Sequence, residues 1–178
     1  LEDFIVASQI VQAEAMKYFV EFWRGDKPGR SGIIWWNVRD GWPILSDAVV
    51  DYYYSKKLAY HFIQNVQHDV CVFLNDARDG HHPLQVANDT RQPASGTVRV
   101  TDVGSGKKLI EQAFDVPANG RVRIADIEAL GGQGMLLIEY TVGDKSFKNH
   151  YTYGRPPFRL GAYQELLAKT AIYQTGDE

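Results

Sequence analysis

The stretch GIIWWNVRDGWPILSDAVVDYYY, running from Gly32 to Tyr54, decides how the first third of the chain is read. Ile33 and Ile34 are β-branched and follow a glycine, so Gly32–Trp36 reads as a short strand that is apolar on both faces, the pattern of a buried parallel strand. Asn37, Arg39 and Asp40 then bring polar groups to its carboxyl end, and Asp40-Gly41 before Trp42-Pro43 marks a turn. In α/β barrels the carboxyl ends of the strands are where ligands bind.

The chemistry of that end fits a sugar. Aromatic faces stack on the C–H-rich faces of pyranose rings, while Asn, Arg and Asp side chains give directional hydrogen bonds to hydroxyls. The plainer reading is that Trp35, Trp36 and Trp42 are core aromatics, as most large aromatics are.

Upstream, Leu1–Trp23 reads as an amphipathic helix. Phe4, Ala7, Val11, Ala15, Tyr18 and Phe22 recur at steps of three and four, Asp3 is placed to cap the start, and Arg24-Gly25 closes it. Gln9, Gln12 and Glu14 fall off that stripe and read as a solvated face or as contacts to a neighbouring element. Asp26–Ser31 is a polar loop. Downstream, Asp47–Tyr54 and Lys56–Ile63 read as a second helical stretch, in which His61 is a packing or capping residue rather than a ligand.

From Val70 the period changes to two. Val70–Leu74, Leu84–Asn88, Thr97–Asp102, Leu109–Val116, Val122–Ile127, Met135–Val142 and Ser146–Tyr153 are strand candidates separated by turn signals. Short strands in that number and spacing are expected of an Ig-like sandwich. Between Asn75 and Pro83 lie Asp76, Asp79, His81 and His82, a cluster that invites a metal, but the spacing matches no ligand set and a hairpin loop explains every residue. Gly154-Arg155-Pro156-Pro157 breaks the pattern, Leu160–Tyr173 reads as a final helix, and Gln174–Glu178 as a loose polar tail.

Composition narrows the class without naming it. With 44% hydrophobic residues and a net charge of −3, the sequence is that of an ordinary globular protein. It has no clustered basic face for nucleic acid, and no apolar run long enough to span a bilayer. Cys71 is the only cysteine and has no internal partner, so it reads as a small buried hydrophobe.

The order of Ser8-Gln9-Ile10-Val11-Gln12-Ala13-Glu14, Gly32-Ile33-Ile34-Trp35-Trp36-Asn37, Asp40-Gly41-Trp42-Pro43 and Asp51-Tyr52-Tyr53 resembles the end of the catalytic barrel in glycoside hydrolase family 2, in its β-mannosidase, β-galactosidase and exo-glucosaminidase-like branches. The resemblance implies a mainly β chain: residues 1–63 are the helix–strand–helix end of a (β/α)8 TIM barrel, 64–155 an Ig-like antiparallel β-sandwich, and 156–178 a linker and carboxyl-terminal helix.

For function, the resemblance implies hydrolysis of O-glycosidic bonds in β-mannoside- or β-galactoside-like substrates. Trp36 matches the tryptophan that floors the subsite for the cleaved sugar, and Trp35, Asn37, Arg39, Asp40 and Trp42 join it as substrate-binding candidates. The family's acid/base glutamate follows an asparagine, and no Asn-Glu pair occurs here. No catalytic residue is therefore assigned to this chain, which alone is expected to be inactive and to self-associate through its uncovered barrel segment.

Neither cofactor nor metal is implied. The expected partner is a carbohydrate, not nucleic acid or membrane, and the implied setting is a periplasmic or secreted bacterial enzyme. The alternative is a non-catalytic β-sandwich module that binds carbohydrate or protein.

Overall fold

In the computed structural model, which describes residues 1–173, the part read as a sandwich forms seven antiparallel strands. They are β1 (Val70–Leu74), β2 (His81–Asn88), β3 (Ala94–Asp102), β4 (Lys108–Val116), β5 (Gly120–Glu128), β6 (Gly134–Val142) and β7 (Lys145–Tyr153). Every strand candidate from Val70 onward lies within one of them. The loose tail expected at Gln174–Glu178 lies outside the described residues.

The strands form a three-stranded sheet, β1-β2-β5, and a four-stranded sheet, β4-β3-β6-β7. Alternate residues of both sheets meet in one core: Val72, Leu74, Leu84 and Val86 from the first, Val98, Val100, Leu136 and Ile138 from the second. Each such aliphatic side chain contributes about 1.5–3 kcal/mol when fully buried, which explains why the period-two pattern is so legible.

β2 starts earlier than expected because His81-His82-Pro83 reads as a turn. Pro83 pairs with Asp126 instead, and the register shifts immediately after it, between Leu84 and Gln85. An irregularity beside a proline is how a strand accommodates a residue without an N–H.

Two glycines are required by close approach. A Cβ on Gly96 would lie 1.9 Å from the Thr141 backbone oxygen on β6, and one on Gly134 would lie 2.3 Å from the Tyr153 hydroxyl. That hydroxyl donates to Asp102 Oδ1 at 3.0 Å, inside the sandwich. Burial, aided by this bond, pushes the Tyr153 phenol up to about 12. Burial also pushes the Asp102 carboxyl up, but hydrogen bonds from the Ser105 side chain and backbone and from Tyr153 outweigh it, and the carboxyl stays below its usual range.

The final helix, Leu160–Thr170, lies against β6, and Lys148 Nζ on β7 donates to Thr170 O at 3.3 Å.

The chain divides into two compact units, the amino-terminal one being Leu1–His68 and the other starting at Asp69. It holds α1 (Glu2–Arg24) and α2 (Leu58–Val66), which pack together. α1 begins at Glu2 with no side-chain cap, so Asp3 sits in the first turn, where a carboxylate favours the helix dipole, and does not cap it.

The face of α1 that α2 and the following loop use is not the apolar stripe. Ala13, Lys17, Val20 and Glu21 are buried, whereas Phe4 and Val11 are 72% and 68% exposed. Lys17 Nζ donates to both carboxylate oxygens of Glu21, at 2.9 and 2.8 Å, pairing two charges that burial would otherwise penalise. Gln9 Oε1 accepts from the Leu58 N–H at 3.2 Å at the start of α2, and Gln12 donates to the Asp47 carbonyl in the segment between the helices.

Two further expectations are corrected. Gly32–Trp36 is not a strand here, because none of its backbone groups finds a ladder partner among the described residues. Asp47–Tyr54 is not helical: Val49 and Val50 are drawn into extended pairings, which suit β-branched residues, and the tyrosines follow in a turn. The segment that the resemblance reads as helix, strand, helix is thus helix, irregular segment, helix.

Candidate functional site

Asn37–Asp40 runs parallel to Ala48–Val50. The Val49 N–H donates to Asn37 O at 3.3 Å, the Val50 N–H to Val38 O at 2.9 Å, and the Asp40 N–H to Val50 O at 3.1 Å. Ala48 and Val49 are buried and anchor this pairing in the unit. Lys57 closes it from the other side, its N–H donating to Val49 O at 2.9 Å.

Asp40 fastens the same segment with its side chain. It is 3% exposed, Ser46 Oγ donates to its Oδ1, and Lys57 Nζ donates to its Oδ2 at 3.3 Å and to Ser46 O at 3.2 Å. The Ser46 hydrogen bond, opposed in part by burial and aided by Lys57, holds the Asp40 carboxyl below its usual value. Both carboxylate oxygens are thereby engaged within the chain.

The pinned backbone leaves the two flanking tryptophans outward, Trp36 at 78% and Trp42 at 64% exposure. Between them lies an open cleft of about 540 Å³ whose lining includes Trp36, Asn37, Arg39, Asp40, Trp42 and Ser46. Asn37 Oδ1 is buried and accepts no hydrogen bond. Trp35 is half-buried and is not among the lining residues. Arg39 is exposed, and its guanidinium carbon stands 4.4 Å from the centroid of the Tyr54 ring.

Of the candidates read from the sequence, the fold brings Trp36, Asn37, Arg39, Asp40 and Trp42 to one cleft and leaves Trp35 beside it. Ser46 and Lys57 were missed. Their signal was weak: single polar residues on either side of Ala48-Val49-Val50, with nothing in the spacing to pair them with Asp40.

Elsewhere, burial and then Lys56 lower the His61 imidazole, and its ring meets Tyr60 edge-on with centroids 5.6 Å apart. The imidazoles of His81 and His82 lie 3.0 Å from the Asp79 and Asn75 carbonyls. Among the described residues no three His, Cys, Asp or Glu side chains gather as a metal site would need.

No family model matches the chain. It is 30% identical to a β-mannosidase B of Aspergillus niger over 148 residues, which is 70% of this chain and 17% of that protein. A crystal structure of β-D-mannosidase from Dictyoglomus thermophilum superposes with a TM-score of 0.71 at 26% identity, covering 82% of this chain and 19% of that one. An exo-chitosanase of Amycolatopsis orientalis shares the fold, with a TM-score of 0.63 at 19% identity over 85% of this chain and 19% of its own.

These relatives support a carboxyl-terminal region of a glycoside hydrolase family 2 enzyme. Within that family the similarity points to proteins named as β-mannosidases, and the chain spans about a sixth of the length of the A. niger relative.

No helix is long and apolar enough to cross a membrane among the described residues.

Proposed function

We propose that this chain supplies one wall of the sugar site in a glycoside hydrolase that cleaves β-mannoside- or β-galactoside-like substrates, with the catalytic carboxylates carried by other polypeptide. The observation that carries the reading is the pair of outward tryptophans around a cleft in which Asn37 Oδ1 lacks a donor. A buried carbonyl oxygen without a partner costs about 1–3 kcal/mol, and a sugar hydroxyl provides the missing hydrogen.

In this reading Trp36 stacks on the ring held for cleavage, Trp42 bounds it, and Asn37 accepts from a hydroxyl. Arg39 donates at the rim. Asp40 acts from beneath, since its oxygens are engaged by Ser46 and Lys57. Trp35 supports Trp36 from behind.

The uncovered stripe of α1 favours the same view. Phe4, Ile5, Val11 and Tyr18 form an exposed apolar face on a helix that already packs by its other side. Such a face calls for a covering element, here the rest of a (β/α)8 barrel whose end is residues 1–63, with the sandwich serving as scaffold. A secreted or periplasmic setting fits a substrate that is an external glycan; the curated relatives are fungal, so a bacterial source is not part of the proposal.

The test is a panel of aryl β-glycosides, mannoside, galactoside, glucoside, glucuronide and glucosaminide, offered to the natural full-length protein and to the 178-residue chain. The full-length protein is expected to show its highest kcat/KM on the mannoside, and the chain alone to show no turnover. Retaining hydrolysis needs two carboxyls about 5–5.5 Å apart, and Asp40 has no free oxygen to serve. Turnover by the chain alone that disappears in Asp40→Asn contradicts the proposal.

A further inference from the structure

Tyr54 occupies a position where the backbone favours glycine. The Tyr54 N–H donates to Asp51 O at 3.1 Å, the Asp51 N–H donates to Ser55 O at 3.0 Å, and Val50 bridges Lys56 antiparallel. These bonds close a hairpin loop of three residues, 52–54, whose last member takes the left-handed conformation. Tyr54 adopts it with φ at 70°. An aromatic residue is uncommon there, and such an outlier points to a side chain retained for what it does.

Packing within the chain does not account for the choice, because Tyr54 is 71% exposed. Its ring is nevertheless backed: the Arg39 guanidinium lies over it at 4.4 Å, a cation–π contact that fixes one face and leaves the other open. Arg39 also lines the cleft between Trp36 and Trp42. The ring is therefore joined to the cleft through a single side chain, which backs the face opposite the open one, and is not part of the cleft's lining.

We propose that Tyr54 is a second stacking platform, which holds the sugar next to the one bound between Trp36 and Trp42 and so makes the site favour an oligosaccharide over a glycoside whose leaving group carries no ring. This rests on the sugar-site reading of the cleft. A flat open face whose other side is backed by a guanidinium suits a pyranose, with C–H groups against the ring and hydroxyls left to water. The competing occupant is a covering segment of the same protein.

Tyr54→Gly separates the two, because it relieves the backbone while removing the ring. In the full-length protein its Tm should equal or exceed that of the wild type. The ratio of kcat/KM for β-1,4-mannotriose to that for methyl β-mannoside should fall about tenfold, mostly through KM for the trisaccharide, as the loss of one stacking contact implies. Tyr54→Phe should restore the ratio. An unchanged ratio overturns the inference, and so does a lower Tm in Tyr54→Gly, since that places the ring under another segment. A wild-type protein that cleaves neither compound overturns the sugar-site reading and this inference with it; one that cleaves both with a ratio indifferent to Tyr54 overturns this inference alone.

Discussion

Both units of the chain bury apolar residues, Phe62, Ile63 and Val66 among them in Leu1–His68, but they differ in what else goes inside and in what is turned outward. In the sandwich, apolar residues meet across two sheets, and the polar groups that go inside, such as Asp102 with Tyr153, come with their hydrogen bonds. In Leu1–His68 a lysine and a glutamate are inside α1's packed face while phenylalanine, valine and two tryptophans face outward. A unit that covers its own core is a scaffold. One that turns aromatics outward leaves a surface of the kind that a neighbour or a ligand would cover, as the proposed function requires.

That comparison breaks most readily under hydrogen exchange of the 178-residue chain. Amides of β2, β3 and β6 should be the slowest, and those of α1 and residues 37–57 should exchange several orders of magnitude faster, as a weakly covered unit does. Equal protection of α1 would remove the distinction.

Gly96→Ala tests the sandwich from within. The added methyl would meet the Thr141 carbonyl at 1.9 Å, and strand backbone cannot yield as a side chain can. Overpacking of this kind costs about 3 kcal/mol, read from the midpoint of the sandwich transition in urea. The transition of the amino-terminal unit should not move.

The phenol of Tyr153 gives the sandwich an alkaline limit. Its pKa is about 12 when folded against 10.0 ordinarily. The folded state therefore holds the proton more tightly, and this contribution is complete below pH 10 and lost as the pH rises from 10 towards 12. Tyr153→Phe should flatten the pH dependence of the sandwich in that window and cost about 1 kcal/mol at neutral pH through the lost hydrogen bond. A wild-type sandwich equally stable at both ends of the window contradicts the assignment.

The smallest expected effect is at the α1 stripe. Val11→Lys in the isolated chain should change stability by no more than about 0.5 kcal/mol, because the residue is exposed. It should nevertheless reduce self-association seen by light scattering. Association indifferent to this substitution would show that the stripe is not the adhesive face.

The same contrast explains what the sequence disclosed. Strands such as Thr97-Val98-Arg99-Val100-Thr101 were legible because both faces of the core they build lie in this chain, so the period-two pattern states its whole meaning. The α1 stripe was equally clear as a pattern and misleading as a contact, since it marked the face that α2 does not touch. Gly32–Trp36 has the composition of a buried strand, but a strand exists only with partners, and none among the described residues pairs with it. At the site, Trp36, Trp42 and Asn37 were visible as chemistry. The Ser46–Asp40–Lys57 clamp was not, because pairing over 6 and 17 positions leaves no periodic trace.

Trp36→Ala in the natural full-length protein, assayed on an aryl β-mannoside, tests the central claim most directly. A ring that stacks on the bound sugar contributes about 1–3 kcal/mol to transition-state binding. The account predicts a fall in kcat/KM of about ten- to a hundredfold, with the sandwich's urea transition unchanged. Wild-type kcat/KM in that variant would contradict it.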